Sequence, residues 1–348
     1  MAKAKKLPSG SWRVNQYVGK DADGKRVYKS FTADSKKEAE FMAAEYVMNN
    51  RFSPNAPNMT VGQAIENYIT IKDQILSPST IRLYRHIRKN QFQRLMDVKL
   101  DKLTQDMVQS EINAMSKTLA PKTIRNNYSL LYTAVKYYKP GTVFNVALPQ
   151  AKKKDLYIPT PQEVNQIIHF AAGTPMEIPI VLAAGLGLRK SEILALKWDN
   201  VDFDHHTITI DSAIVLGPEH KLYEKAPKST AGNRTIDAPD MVLDCLQRHR
   251  NNVVYVCTVS EPMIYDNFIG ILDKLGIQHF RFHDLRHYYA SVMLALGVPD
   301  KYAMERMGHA TNTMLKTVYQ HTMADKQKEI SQNINNFFQT MQHEMQHE

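Results

Sequence analysis

The chain has 348 residues, 43% of them hydrophobic, which is room for two or three domains with packed cores. No run approaches the roughly eighteen uncharged apolar residues of a membrane span, and the basic start Met-Ala-Lys-Ala-Lys-Lys passes into Pro-Ser-Gly-Ser-Trp without the apolar stretch of a signal peptide, so a cytoplasmic protein with no membrane partner is expected. The net charge of +9 is uneven: residues 1–60 carry 11 Lys+Arg against 6 Asp+Glu, residues 61–150 carry 13 against 6, and residues 151–348 carry 20 against 23, so a polyanion would be gripped by the first two segments.

Residues 11–19 and 25–32 alternate apolar and polar side chains around Asp21-Ala22-Asp23-Gly24, a β-hairpin pattern. A helix is predicted from Lys36 to Met48, capped by Ser35, with Ala39, Met42, Ala43 and Tyr46 on one stripe. The exposed face of this small sheet is expected to carry Arg13, Asn15, Lys25 or Lys29 toward DNA, a solvated charged face being the alternative.

Phe52 to Asn58, with two prolines and two asparagines, reads as a linker. Thr60-Val61-Gly62-Gln63 then forms a capping box ahead of Ala64, Ile65, Tyr68 and Ile69. Helices from Pro78 to Leu95, Thr104 to Met115 and Pro121 to Tyr138 complete a four-helix bundle. Arg82, Arg85, Arg88, Lys89 and Arg94 on its second helix, and Lys122, Arg125, Asn126, Asn127 and Lys136 on its fourth, are spaced to meet successive phosphates or to coat an ordinary bundle. Residues 139–157, with Pro140, Gly141, Pro149 and Lys152-Lys153-Lys154, read as an exposed basic connector.

The third domain opens at Thr160-Pro161-Gln162-Glu163, a capped helix start. Helices dominate it, interrupted by strands between Asp202 and Pro239 with a turn at Gly217-Pro218 and a charged hairpin reaching Arg234-Thr235-Ile236. From Ala324 to Gln342 a tail places Ile330, Ile334, Phe337, Phe338 and Met341 on an amphipathic helix, able to pack on its own domain or on a neighbouring subunit.

The chemistry concentrates between Phe280 and Tyr319, which gathers His283, Arg286, His309 and Tyr319. His283 and Arg286, three apart at a helix start, project from one face and can hold an anion between them. Upstream, the glycines of Ala184-Gly185-Leu186-Gly187-Leu188-Arg189 end one helix so that Arg189 emerges at the start of the next, with Glu192 three residues on either orienting it or packing. Lys228 stands on the charged hairpin in Ala-Pro-Lys-Ser-Thr. Each of these side chains also has an ordinary structural explanation, so the case rests on their combination. Cys245 and Cys257 lack the spacing of a zinc site and are expected to be partly buried thiols, and no His-Glu-x-x-His pair occurs, so no metal is expected.

Arg189 in Gly-Leu-Arg-Lys-Ser-Glu, Lys228 ahead of a Ser-Thr pair and an Arg-Thr-Ile strand, His283 and Arg286 in His-Asp-Leu-Arg-His, His309 in Met-Gly-His and Tyr319 ten residues later carry a specific likeness. From Thr160 to about His321 the chain resembles the tyrosine recombinase, or phage integrase, family. Tyr288 departs from the family pattern, standing where a small hydroxyl residue often follows that histidine motif, and is expected to affect packing only.

The resemblance implies a multidomain, mainly α fold: a small β-sheet plus helix arm-type DNA-binding domain (1–52), a helical core-binding domain (59–140), a linker (141–158), a mixed α+β catalytic domain (159–322) and a helical tail (323–348). The core-binding and catalytic domains would close as a clamp on DNA. It implies that Tyr319 forms a 3′-phosphotyrosyl bond and frees a 5′ hydroxyl. Arg189 and Arg286 would clamp the nonbridging oxygens with help from His309, without metal or cofactor. Lys228, with Lys225 as the alternative, would protonate the departing oxygen, and His283 would act as acid or base near the tyrosine. His287 and His321 are expected to be structural.

Its partners would be double-stranded DNA at core-type and arm-type sites, contacted by Arg13, Lys29, Arg82, Arg85, Arg88, Lys89, Lys122, Arg125, Lys152 and Lys153. A homotetramer exchanging tail helices and DNA-bending or directionality proteins complete the expected set. Such an enzyme would integrate and excise a phage or mobile element through a Holliday junction in a bacterial cytoplasm or nucleoid. The alternatives are a type IB topoisomerase-like nicking-closing enzyme and a catalytically idle DNA-binding regulator.

Overall fold

The computed structural model describes residues 3–8, 10–20, 26–49, 58–151, 157–226, 232–308 and 335. Contacts divide the chain into two compact units, Met1–Lys153 with Gly217–His220, and Lys154–Leu216 with Lys221–Glu348. Among the described residues no helix is long and apolar enough to cross a membrane.

The first unit begins with an antiparallel sheet of β1 (Lys5–Lys6), β2 (Trp12–Lys20) and β3 (Arg26–Ala33), covered on one face by α1 (Lys36–Asn49). Val14, Ala39 and Ala43 form its buried centre, with Trp12, Phe31 and Ala33 packed around them. Ser35 caps α1 by accepting from Glu38 N at 3.2 Å. Met42 is 39% exposed and leaves the expected stripe.

The register corrects the placement of Lys29. Val14 pairs with Phe31 and Gln16 with Lys29, so Lys29 shares the helix-facing side with Phe31, and its ammonium lies 4.4 Å from the centre of the Tyr46 ring. The outer face instead carries Arg13, Asn15, Tyr17, Tyr28, Ser30 and Thr32. Arg13 Nε donates to Thr32 Oγ1 at 3.1 Å, Ser30 Oγ donates to Asn15 Oδ1 at 2.8 Å, and the Tyr17 and Tyr28 rings meet edge to face at 5.7 Å. Lys25 lies outside the described residues.

The bundle comprises α2 (Val61–Lys72), α3 (Pro78–Asn90), α4 (Gln105–Met115) and α5 (Pro121–Tyr138) around a core that includes Ile65, Ile69, Ile81, Ile112, Leu130 and Leu131. The capping box at Thr60 forms in both directions, with Gln63 N to Thr60 Oγ1 at 3.3 Å and Thr60 N to Gln63 Oε1 at 2.9 Å. α3 stops at Asn90, short of the expected Leu95: Gln91 is extended and Phe92 takes a left-handed φ of 55°, with its ring buried and Arg94 left on a separate 3-10 turn. Asn127, expected on the polar face, is buried and directs its amide toward Met115 Sδ at 3.6 Å.

The connector is not free chain. Phe144, Val146 and Leu148 pack on the bundle, while Asn145 N and Ala147 N donate to Gln105 Oε1 (2.8 Å) and Gln109 Oε1 (2.7 Å) of α4. These apolar residues and satisfied amides hold the first half of the connector down.

The second unit is built on α7 (Glu177–Leu186), buried along nearly all its length, with α6 (Pro161–Ala171), α8 (Lys190–Ala195), α9 (Asp240–Arg248), α10 (Glu261–Leu275), α11 (Asp284–Ala295) and α12 (Asp300–Met307). A helix apolar on every side belongs in the middle. Strands β4 (Val201–Asp202), β5 (Thr207–Ile210) and β8 (Arg234–Asp237) form one antiparallel sheet, and β6 (Ala213–Leu216) with β7 (Leu222–Lys225) forms another. Thr160 and Glu163 make the second capping box, with Thr160 N donating to Glu163 Oε2 at 2.7 Å.

Both cysteines are fully rather than partly buried. Cys245, Glu177 and His249 bring their polar atoms within 4.8 Å of one another. Burial alone would raise the Glu177 pKa, but bonds from His249, Gly173 N and Arg248 outweigh it and hold the carboxyl at about 2. The carboxylate thereby ties the start of α7 to the end of α9, and burial plus that neighbour push the Cys245 thiol up to about 12.

Candidate active site

Gly187 ends α7 with φ +64°, and a Cβ there would sit 2.5 Å from Tyr289 Cδ1, so both backbone and space require glycine. That turn sets Arg189 at the N-cap of α8, anchored by the buried Ile193, Leu194 and Leu196. The side chain of Arg189 remains 34% exposed, whereas Glu192 is buried. Glu192 accepts from Arg189 N at 2.9 Å and from Arg189 Nη1 at 2.5 Å.

Arg286, on α11, is 1% exposed and donates to the carbonyls of Gly187 and Met307. Arg189 Nη2 donates to the adjacent carbonyl of Gly308 at 2.7 Å. Arg234, at the start of β8, adds a bond from Nε to the carbonyl of Arg306 at 2.7 Å and one from Nη2 to Glu192 Oε2 at 3.1 Å. Three consecutive carbonyls at the end of α12 thus each receive one guanidinium. A helix C-terminus leaves its last carbonyls without helical partners and carries partial negative charge, which suits such donors.

Three cations and one carboxylate share this space. Desolvation, then the charge of Arg189, pushes Arg286 down to about 9, with Glu192 opposing and Arg234 adding to the shift, so it stays protonated at neutral pH. Burial would raise Glu192, but Arg234 and then Arg189 outweigh it and lower its pKa. An anion entering beside Arg189 and Arg286 meets excess positive charge and planar donor forks.

His283 caps α11 in helical conformation (φ −65°, ψ −21°), three residues ahead of Arg286 as the spacing predicts. The residue has an outward face, but its ring packs edge-on against His287 at 5.3 Å. Desolvation, followed by the charges of His287 and Arg286, pushes the imidazole down to about 4, so it is neutral at pH 7 and able to accept a proton. Asp284 is buried and accepts from Arg281 N, Nε and Nη2 at 2.8, 3.1 and 2.7 Å, fixing the helix start. His287 is buried on the same helix, 3.7 Å from Asp284.

Arg189, Glu192, His283 and Arg286 are therefore placed in one unit, the first, second and fourth around a single carbonyl row. Lys228, His309 and Tyr319 lie outside the described residues, as do His321, Lys152, Lys153 and the tail from Ala324 to Gln342 except residue 335. Lys225, the alternative to Lys228, is half-buried on β7 opposite Ala213. Arg234 is the residue that sequence reasoning passed over. Its signal was strand parity: in Arg234-Thr235-Ile236-Asp237 the arginine shares the inward face with the buried Ile236, and a buried arginine needs partners.

Of the expected DNA contacts in the first unit, Arg82, Arg85, Lys89, Lys122 and Arg125 are exposed. Arg88 is turned inward, donating from Nε to the Gly62 carbonyl at 3.1 Å with Glu66 3.7 Å away.

Residues 159–326 match the phage integrase family. This segment is a phage integrase domain, and along its length the chain resembles tyrosine recombinases. Its similarity to the tyrosine recombinase XerC-like protein of Caldanaerobacter subterraneus subsp. tengcongensis is 24% identity, covering 94% of this chain and 96% of that one. The integrase of Salmonella phage P22 is 26% identical over 58% of this chain and 53% of its own. Among solved structures, the Tn1549 transposon integrase bound to transposon right-end DNA has a TM-score of 0.64 at 19% identity, covering 78% of this chain and all (100%) of that one. A lambda integrase tetramer bound to a Holliday junction has a TM-score of 0.55 at 17% identity, covering 91% and 94%. The α-rich chain with small sheets shares the fold of both.

Proposed function

We propose that this recombinase cuts and rejoins two DNA duplexes sequentially, through a 3′-phosphotyrosyl intermediate and a Holliday junction, to integrate and excise a phage or mobile element in the bacterial cytoplasm. The observation that carries the reading is the meeting of Arg189 and Arg286 on the adjacent carbonyls of Gly308 and Met307, where like charges stand together. A phosphodiester relieves that repulsion, and the extra charge of a pentacoordinate phosphorus relieves it further, which is the condition for catalysis rather than binding alone.

In this mechanism the Tyr319 oxygen attacks phosphorus and its proton passes to His283, neutral at pH 7. The bond from phosphorus to the tyrosine oxygen forms as the bond to the 5′ oxygen breaks, and Lys228 supplies the proton to that leaving oxygen. Arg189, Arg286 and His309 hold the nonbridging oxygens. Because the phosphoester keeps the energy of the broken bond, a 5′ hydroxyl from the other duplex reverses the steps and completes exchange.

Residues 1–52 serve here as the arm-type domain, with Arg13 on its outer face, and residues 59–140 as the core-binding domain, with Arg82, Arg85, Lys89, Lys122 and Arg125 toward the phosphates. A homotetramer is the working state. An apolar cavity of about 620 Å³, lined by residues including Val164, Ile168, Ala184, Tyr288, Val292 and Leu296, suits the tail helix of a neighbouring protomer. DNA-bending and directionality proteins would act as accessories.

Two suicide duplexes bearing partner sites, selected by the protein from a random-sequence pool, test the reading. Strand exchange between them is expected. Relaxation of supercoiled DNA with no exchange would favour a type IB topoisomerase-like enzyme, and binding with no covalent adduct would favour a regulator.

A further inference from the structure

Arg234 has no part in the chemistry just described, yet it is among the most enclosed charges of the second unit, its side chain 7% exposed. All three of its guanidinium nitrogens are spent on the protein. Nε donates to the Arg306 carbonyl at 2.7 Å, Nη1 to the Gly232 carbonyl at 3.1 Å and Glu192 Oε1 at 3.5 Å, and Nη2 to Glu192 Oε2 at 3.1 Å. Arg234 faces the two things that hold Arg189: the carboxylate of Glu192, and the end of α12, where the Gly308 carbonyl receives Arg189.

We propose that Arg234 is a positioning residue for strand transfer, dividing Glu192 with Arg189 and pinning the α12 carbonyl row so that the Arg189 guanidinium keeps its place beside Arg286. Without Arg234, the buried Glu192 leans on Arg189 alone and draws it toward itself, while the Arg306 carbonyl loses a donor. The flat fork of arginine spans a carboxylate and a carbonyl at once; a lysine ammonium keeps the charge without that span. Arg234→Lys therefore separates geometry from electrostatics. A displacement of about 1 Å at such a clamp costs on the order of 100-fold in rate.

The inference rests on the recombinase reading, and the test separates the two. Single-turnover cleavage of a nicked suicide duplex, bearing a site selected from a random-sequence pool, is measured at saturating protein for wild type, Arg234→Lys, Glu192→Gln and the double variant. The expected result is cleavage slowed on the order of 100-fold by Arg234→Lys with the half-saturating concentration unchanged, and a double variant no slower than the slower single one. Replacing the scissile phosphate by a neutral methylphosphonate asks less of Arg189, so the gap between wild type and Arg234→Lys should shrink to less than about 10-fold. A melting curve for each variant reports folding, and if Arg234→Lys does not fold, the same narrowing of the gap on methylphosphonate is required of Glu192→Gln. Wild-type cleavage rates in Arg234→Lys, a loss confined to DNA affinity or melting temperature, or additive effects in the double variant would each overturn the inference. A wild type that cleaves no selected duplex would bring down the recombinase reading first, and this inference with it.

Discussion

The arginines of α3 and the arginines gathered at the end of α12 are the same side chain in opposite surroundings. Arg85 is 48% exposed and its nearest acid, Asp73, is 3.7 Å away, an ion pair of the kind worth well under about 1 kcal/mol in water. Arg286 is 1% exposed, bound to two carbonyls and repelled by Arg189. A surface cation can swing to meet a phosphate and is screened by salt. A buried one cannot move, so it supplies direction. On the proposed function the difference puts affinity in the first unit and chemistry in the second, and substitutions in each unit can pull the two roles apart.

The largest effect belongs to Arg189→Ala, which should slow single-turnover cleavage on the order of 1000-fold while leaving DNA affinity nearly unchanged, as removal of a transition-state donor does. A comparable fall in affinity would dissolve the contrast. Changing Arg82, Arg85 and Lys89 together to alanine should do the reverse: weaker binding, a salt dependence whose slope falls by roughly 0.9 for each phosphate no longer neutralised, and an unchanged rate at saturation. Gel shifts across a salt series report it.

Gly187→Ala should cost about 1–3 kcal/mol in a denaturant melt, because the left-handed backbone and the Tyr289 ring both resist a Cβ. Acid should act through His283. Its folded pKa, pushed down to about 4 from an ordinary 6.5, means the unfolded chain takes up the proton first, so its stabilising contribution is present above pH 6.5 and is lost as pH falls toward 4. Urea midpoints at pH 7, 5.5 and 4 for wild type and His283→Asn measure that slope, which the variant should reduce, with His287, also pushed down by burial, keeping the rest. The smallest effect is that of Lys29→Ala, about 0.5–1 kcal/mol from removing the ammonium beside the Tyr46 ring, with arm-site binding intact; Arg13→Ala should weaken arm-site binding without changing stability.

Much of the architecture was legible because its signals are local. The box at Thr60–Gln63 formed as its spacing predicts, the helix opening at Thr160 is capped as expected, and Gly187 delivered Arg189 to the head of a helix. Lys29 was misplaced although the parity was readable, since Phe31, two residues on, fixes which way that strand faces. The early end of α3 depends on Phe92 taking a left-handed φ to bury its ring, a tertiary demand with no glycine or proline to announce it. Arg88 and Asn127 looked like surface residues because polarity was taken for exposure, and their partners, Gly62 and Met115, lie far off in sequence. The same distance hid Arg234, whose carboxylate partner Glu192 is 42 residues away.

Trapping the covalent adduct on a nicked duplex and identifying the attached peptide bears on all of this at once. DNA linked through the Tyr319 oxygen is the expected product, abolished in Tyr319→Phe and reduced on the order of 1000-fold in Arg189→Ala at equal DNA occupancy. An adduct on another residue, or Arg189→Ala cleaving at the wild-type rate, would contradict the assignment of chemistry to this site.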